Sequence, residues 1–118
     1  MKYLFLLYGK PLDQQTPEEI QQTRAVYEKA NLVLAEAGVL VDCAPLQPIT
    51  ASTTVRVRDG ETLLTDGPAA EIKEHFGGYT LVECADLDEA LKWAAIMPAA
   101  ATDEGSVEVR PVIDVPHD

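Results

Sequence analysis

A chain of 118 residues that is 47% hydrophobic and 25% charged has enough apolar surface to form one folded domain without staples, which excludes a disordered chain. Its 20 acidic and 9 basic residues give a formal net charge of −11, and the excess is local: residues 1–59 hold 6 basic and 7 acidic side chains, residues 60–118 hold 3 and 13. So few cations exclude a nucleic-acid binder and a protein held on an anionic membrane.

Lys2–Tyr8 is apolar on both alternating faces and reads as a central strand. The run is too short for a signal peptide and no cleavage site follows, so the expected location is cytoplasmic. Thr16-Pro17-Glu18-Glu19 is a helix start, with Thr16 as cap, Pro17 in the first turn and Glu19 completing a capping box. Ile20, Val26, Tyr27, Ala30, Val33, Leu34 and Ala37 recur at helical spacing, and Gly38 ends the helix. Val39–Ala44 is a second strand, closed by Pro45 and Pro48.

Thr54–Arg58 alternates, and Asp59-Gly60 is a two-residue turn into Glu61–Thr65, which makes a hairpin. Asp66 to Phe76 is expected to form one or two helical turns, broken by Gly77-Gly78. Tyr79–Cys84 is a strand, Asp86-Leu87-Asp88-Glu89 a second capping box, and Leu87, Ala90, Leu91, Ala94 and Ala95 the stripe of a helix stopped by Pro98. Ala99 to Gly105 reads as a loop and Ser106–Val112 as the last strand, an edge because of Pro111.

Without the hairpin the order is strand, helix, strand, strand, helix, strand. The fold class is therefore α+β: a ferredoxin-like βαββαβ core with an inserted β-hairpin and short helical segment, one domain over residues 1–118. Two helices cover one face of such a sheet. The other face needs a partner, and a second copy of the chain supplies it, so a homodimer is expected.

Few residues suggest chemistry. His75 lies near Glu71 and Glu74 and reads as a solvated side chain on a short helix rather than a metal ligand; His117 lies in the tail. No metal or other cofactor is called for. Cys43 and Cys84 read as buried, reduced thiols, with a disulfide or a reactive thiol as the alternative. Polar function concentrates around the insertion. Arg56, Asp66, Glu71, Lys73 and Tyr79 surround a glycine-flexed loop and could bind a small polar ligand, with Asp66 or Glu71 as candidate catalytic base and Lys73 or Arg56 as anion clamp. The competing reading makes Asp66 a turn cap, Glu71 and Lys73 surface charges, and the arginines cross-strand partners of acids.

The order of short segments carries a family resemblance. Ala37-Gly38-Val39-Leu40, Leu46-Gln47-Pro48, Thr53 through Gly60, Thr65-Asp66-Gly67-Pro68, Lys73-Glu74, Gly77-Gly78-Tyr79, Asp86 through Ala90 and Val107 through Pro111 together resemble the YCII-related superfamily, in particular its DGPF-type branch. The resemblance implies a dimeric α+β barrel. It implies unknown function for most members, a regulatory setting beside extracytoplasmic-function sigma factors for some, and enzymatic dehydrochlorination through a His–Asp pair for a few distant ones. This chain departs from the pattern. Ala69 stands where the signature has Phe, Ile72 where Thr is common, and Tyr27 near the first-helix His position, so the His-based mechanism does not carry over.

Overall fold

A computed structural model describes residues 1–69 and 75–115. Its main sheet has four strands: β1 (Lys2–Gly9), β2 (Leu40–Pro45), β5 (His75–Glu83) and β6 (Ser106–Pro111), in the order β2-β5-β1-β6 with every neighbouring pair antiparallel. This is the split βαβ arrangement of a ferredoxin-like core. β1 is central, as its two apolar faces require. The proline-closed strands β2 and β6 are the edges, where a missing N–H costs no ladder bond.

Helix α1 (Pro17–Glu36) starts on Thr16, whose Oγ1 accepts the Glu19 N–H at 3.1 Å. The capping box is half made, because the Glu19 carboxylate turns instead to Lys10 Nζ at 3.2 Å. Gly38 ends the helix at φ +78°, a conformation that side chains with a Cβ rarely adopt. Helix α2 (Leu87–Ala94) has the fuller box: Asp86 Oδ1 accepts from Glu89 N at 2.9 Å, and Glu89 Oε2 accepts from Ala85 N at 3.3 Å. A short helix α3 (Pro98–Ala101) replaces the expected loop, because Pro98 suits the first helical position as well as it stops the helix before it.

Tyr3, Phe5 and Leu7 of β1, with Thr80 and Val82 of β5, face the helices and pack with Ala30, Leu34, Ala90, Ala94 and Met97. The inward stripe of α1 is narrower than its periodicity predicts. Ala30 and Leu34 are buried and Tyr27 packs against the core, while Val26 and Val33 lie on the exposed flank. One helix lying on a sheet touches it along a single line of side chains, and flanking apolar positions stay bare.

β3 (Thr53–Arg58) and β4 (Glu61–Asp66) form a separate two-stranded ribbon, joined by Asp59 and Gly60 at φ 52° and 79°. Positive φ at both turn positions is what a two-residue hairpin needs. The expected helical segment from Asp66 to Phe76 is not helical at its ends: Asp66 closes β4, and His75 and Phe76 open β5. The rest of it, including Glu71 and Lys73, lies outside the described residues. Gly77-Gly78 does not break the chain but sits inside β5. A Cβ on Gly78 would come within 2.9 Å of the Ala44 carbonyl oxygen, so this glycine lets β2 and β5 approach. Among the described residues no helix is long and apolar enough to cross a membrane.

Candidate functional site

In an antiparallel ladder, residues directly opposite share a face. Leu4 lies opposite Leu81, Leu6 opposite Tyr79 and Tyr8 opposite Phe76, so all six lie on the face away from the helices. β2 adds Asp42 and Ala44 to that face, and β6 adds Glu108 and Arg110. The result is an apolar strip of Leu4, Leu6 and Leu81 between two polar rims. On one rim Tyr79 Oη donates to Asp42 Oδ2 at 3.0 Å. On the other Arg110 pairs with Glu108. The Tyr8 and Phe76 rings close one end with centroids 5.6 Å apart.

The Tyr79 phenol is held above its ordinary pKa, first by the hydrogen bond to Asp42, then by that carboxylate's charge, then by desolvation. The carboxylate prefers the neutral phenol that can donate to it. Tyr79 and Asp42 are 37 positions apart, and only the β2–β5 pairing brings them together. Sequence reading found Tyr79 and missed Asp42. An Asp inside an otherwise apolar strand was the available signal.

The five predicted site residues do not converge among the described ones. Arg56 lies on β3 opposite Leu63, and Asp66 closes β4 opposite Thr53. The strand period of 2 sets Arg56 and Asp66 on opposite faces of the ribbon. Neither arginine of the ribbon forms an ion pair with a described acid; Arg58 Nη1 donates to the Val57 carbonyl. Gly67 ties the ribbon's base, its N–H donating to the Ser52 carbonyl at 2.9 Å and its carbonyl accepting from Thr54 Oγ1 at 2.7 Å. Glu71 and Lys73 lie outside the described residues.

His75 departs most from its sequence reading. It is the first residue of β5, 8% exposed, and its Nδ1 has no hydrogen-bond partner among the described residues. The cause is a β-bulge: Leu7 pairs with Gly78 but Tyr8 pairs with Phe76, skipping Gly77. The extra residue inverts the alternation, turning Phe76 to the open face and His75 to the helix side. Glu71 and Glu74, its suggested metal partners, lie outside the described residues.

Tyr27 stands where the resemblance places a catalytic His, and it has a different task. Its Oη accepts the N–H of Ala99 at 3.1 Å, joining α1 to α3. Burial raises its pKa, and the Ala99 hydrogen bond pulls the other way. Both thiols are free; Cys84 is buried and Cys43 half-buried. Cys43 pairs with Thr80 of β5, and Cys84 follows four positions later, just past the strand's end, about 13 Å along extended chain and too far for a disulfide.

The profile of the YCII-related domain matches residues 1–116. An uncharacterized protein of Rhizobium meliloti (strain 1021) is 49% identical over 77 residues, which cover 65% of this chain and 62% of that protein.

Proposed function

Because the chain belongs to the YCII-related domain family, we propose that it acts as a homodimer whose facing sheets enclose a binding place for a small polar molecule. The observation that carries this is the Tyr79–Asp42 pair, set beside an apolar strip on a sheet face that no helix covers among the described residues. A phenol and a carboxylate offer a donor and an acceptor, and the Tyr8 and Phe76 rings offer a wall. Asp66 is the described candidate for a catalytic base, with the reaction unassigned.

A thermal-shift screen of a metabolite library tests it. A ligand at about 100 times its Kd adds about 2.7 kcal/mol, which lifts the melting temperature of a domain this size by about 10 °C. Hits on the wild type that vanish in Asp42→Asn and Tyr79→Phe support the proposal. Hits that persist in both variants refute the site.

A second reading, a non-catalytic regulatory module docking on a basic partner such as a sigma factor, draws on the 13 acids of residues 60–118. Such a complex should dissociate in high salt.

A further inference from the structure

The β3–β4 ribbon stands off from its own core. Among the described residues its two strands pair with each other and pack extensively against no other element. Val55 and Val57, with Leu64 opposite Val55, form one apolar side of it, exposed to 59%, 58% and 68%. The molecule is accordingly flat, 47 × 47 × 20 Å. Its radius of gyration is 16.2 Å, where about 13.5 Å suits a compact chain of this length. A lone two-stranded ribbon is marginal in water, and three large apolar side chains on one side make it worse. Yet its base is fastened by the two Gly67 hydrogen bonds and its tip is a tight turn.

Size decides what covers it. The ladders set 13 described side chains on the open sheet face. A stable interface engages about 20–30 residues on each partner. The sheet face alone falls short. The ribbon side that carries Val55, Val57 and Leu64 adds six, three from each strand, and brings the total close to the lower bound.

We propose that the β3–β4 ribbon is a dimerisation arm: Val55, Val57 and Leu64 of one copy clasp a second copy of this chain and extend the sheet-to-sheet contact. This rests on the homodimer proposed above. Two-fold symmetry makes the clasp reciprocal, so each chain gives one arm and receives one.

Sedimentation equilibrium over a concentration series, on the whole chain, tests it with wild type, Val57→Asp, Leu64→Asp and the sheet-face variant Leu6→Asp. The expected result is a wild-type dimer whose dissociation constant rises at least tenfold in each ribbon variant, with the far-ultraviolet circular dichroism of the core unchanged. A wild-type dimer that Leu6→Asp breaks, but whose dissociation constant stays within twofold in both ribbon variants, overturns the arm and leaves the sheet contact standing. A wild type that is monomeric at every concentration overturns both. Loss of helical signal in Val57→Asp or Leu64→Asp also overturns the arm, because the ribbon would then be supporting its own core.

Discussion

Replacing Tyr27 by Phe removes one oxygen and leaves the ring, so it isolates the contact between α1 and α3. Helix α3 is four residues long, and its cap residue Met97 makes no side-chain cap bond. The N–H of Ala99 lies in the first turn, where a helix offers no acceptor of its own. Ala99 is 5% exposed, so water does not replace the acceptor; the Tyr27 hydroxyl does, at 3.1 Å. Leaving such an N–H unsatisfied costs about 1–3 kcal/mol. Relief of the half-buried phenol's own desolvation returns part of this, so the net loss is about 1–2 kcal/mol. For a domain this size that lowers the melting temperature by roughly 3–10 °C. Urea unfolding should show a lower midpoint with an unchanged slope, and the Ala99 amide should exchange faster. A Tyr27→Phe protein within about 0.5 kcal/mol of wild type, with Ala99 still protected, refutes the argument. The experiment also separates roles. A Tyr27 acting in place of a catalytic His would lose ligand response and keep its stability, whereas the structural role predicts the reverse.

The glycine pair in β5 gives a second test. In Gly78→Ala the new methyl meets the Ala44 oxygen at 2.9 Å and the Pro45 Cα at 3.2 Å, both main chain, so β2 must shift and about 1–3 kcal/mol is lost; Gly9→Ala meets nothing within 4 Å and serves as the urea-midpoint control. Tyr79 gives a third. Its folded pKa is raised, so the stability it contributes is present below the unfolded phenol's pKa of 10.0 and lost as pH rises through the folded value. In Asp42→Asn the tyrosinate absorbance of Tyr79 should appear at lower pH than in wild type; an unmoved titration would refute the pairing.

Much of the core was legible because its signals are local. Pro111 marks an edge strand, Asp59-Gly60 a two-residue turn, and Thr16 and Asp86 cap the helices they precede. The candidate site was less legible because it depends on register. Period-2 alternation through Gly78, Thr80 and Val82 sends Phe76 inward and His75 outward. One unpaired residue at Gly77 reverses both; a glycine pair is a bulge signal when it lies inside a strand, but read as a helix breaker it gave no register. Tyr79 was singled out for its neighbours in sequence, but its partner in space comes from another strand. Arg56 and Asp66 are near in sequence and on opposite faces of one ribbon, so proximity along the chain misled there.

The distribution of charge on the open face bears on who its partner is. Arg110 pairs with Glu108, Lys2 lies opposite Glu83, and Asp42 accepts from Tyr79, so two cations stand among the three acids of that face and its net charge is only −1. The chain as a whole carries −11. The acids are thus concentrated elsewhere, at the start of α2 where Asp86 and Glu89 cap, and on exposed loop residues such as Asp103 and Glu104. A face built to meet a basic protein would keep its acids unpaired. A face built to meet its own copy would cancel them locally, because two chains of −11 repel at long range and gain only at the contact. Salt screens that repulsion within about 8 Å at physiological strength and leaves apolar burial in place. Self-association should therefore tighten as salt rises from low to physiological concentration, read as a falling dissociation constant by sedimentation. A dimer that weakens over the same range would mean that unpaired charges hold it, and the neutral-face argument would fail.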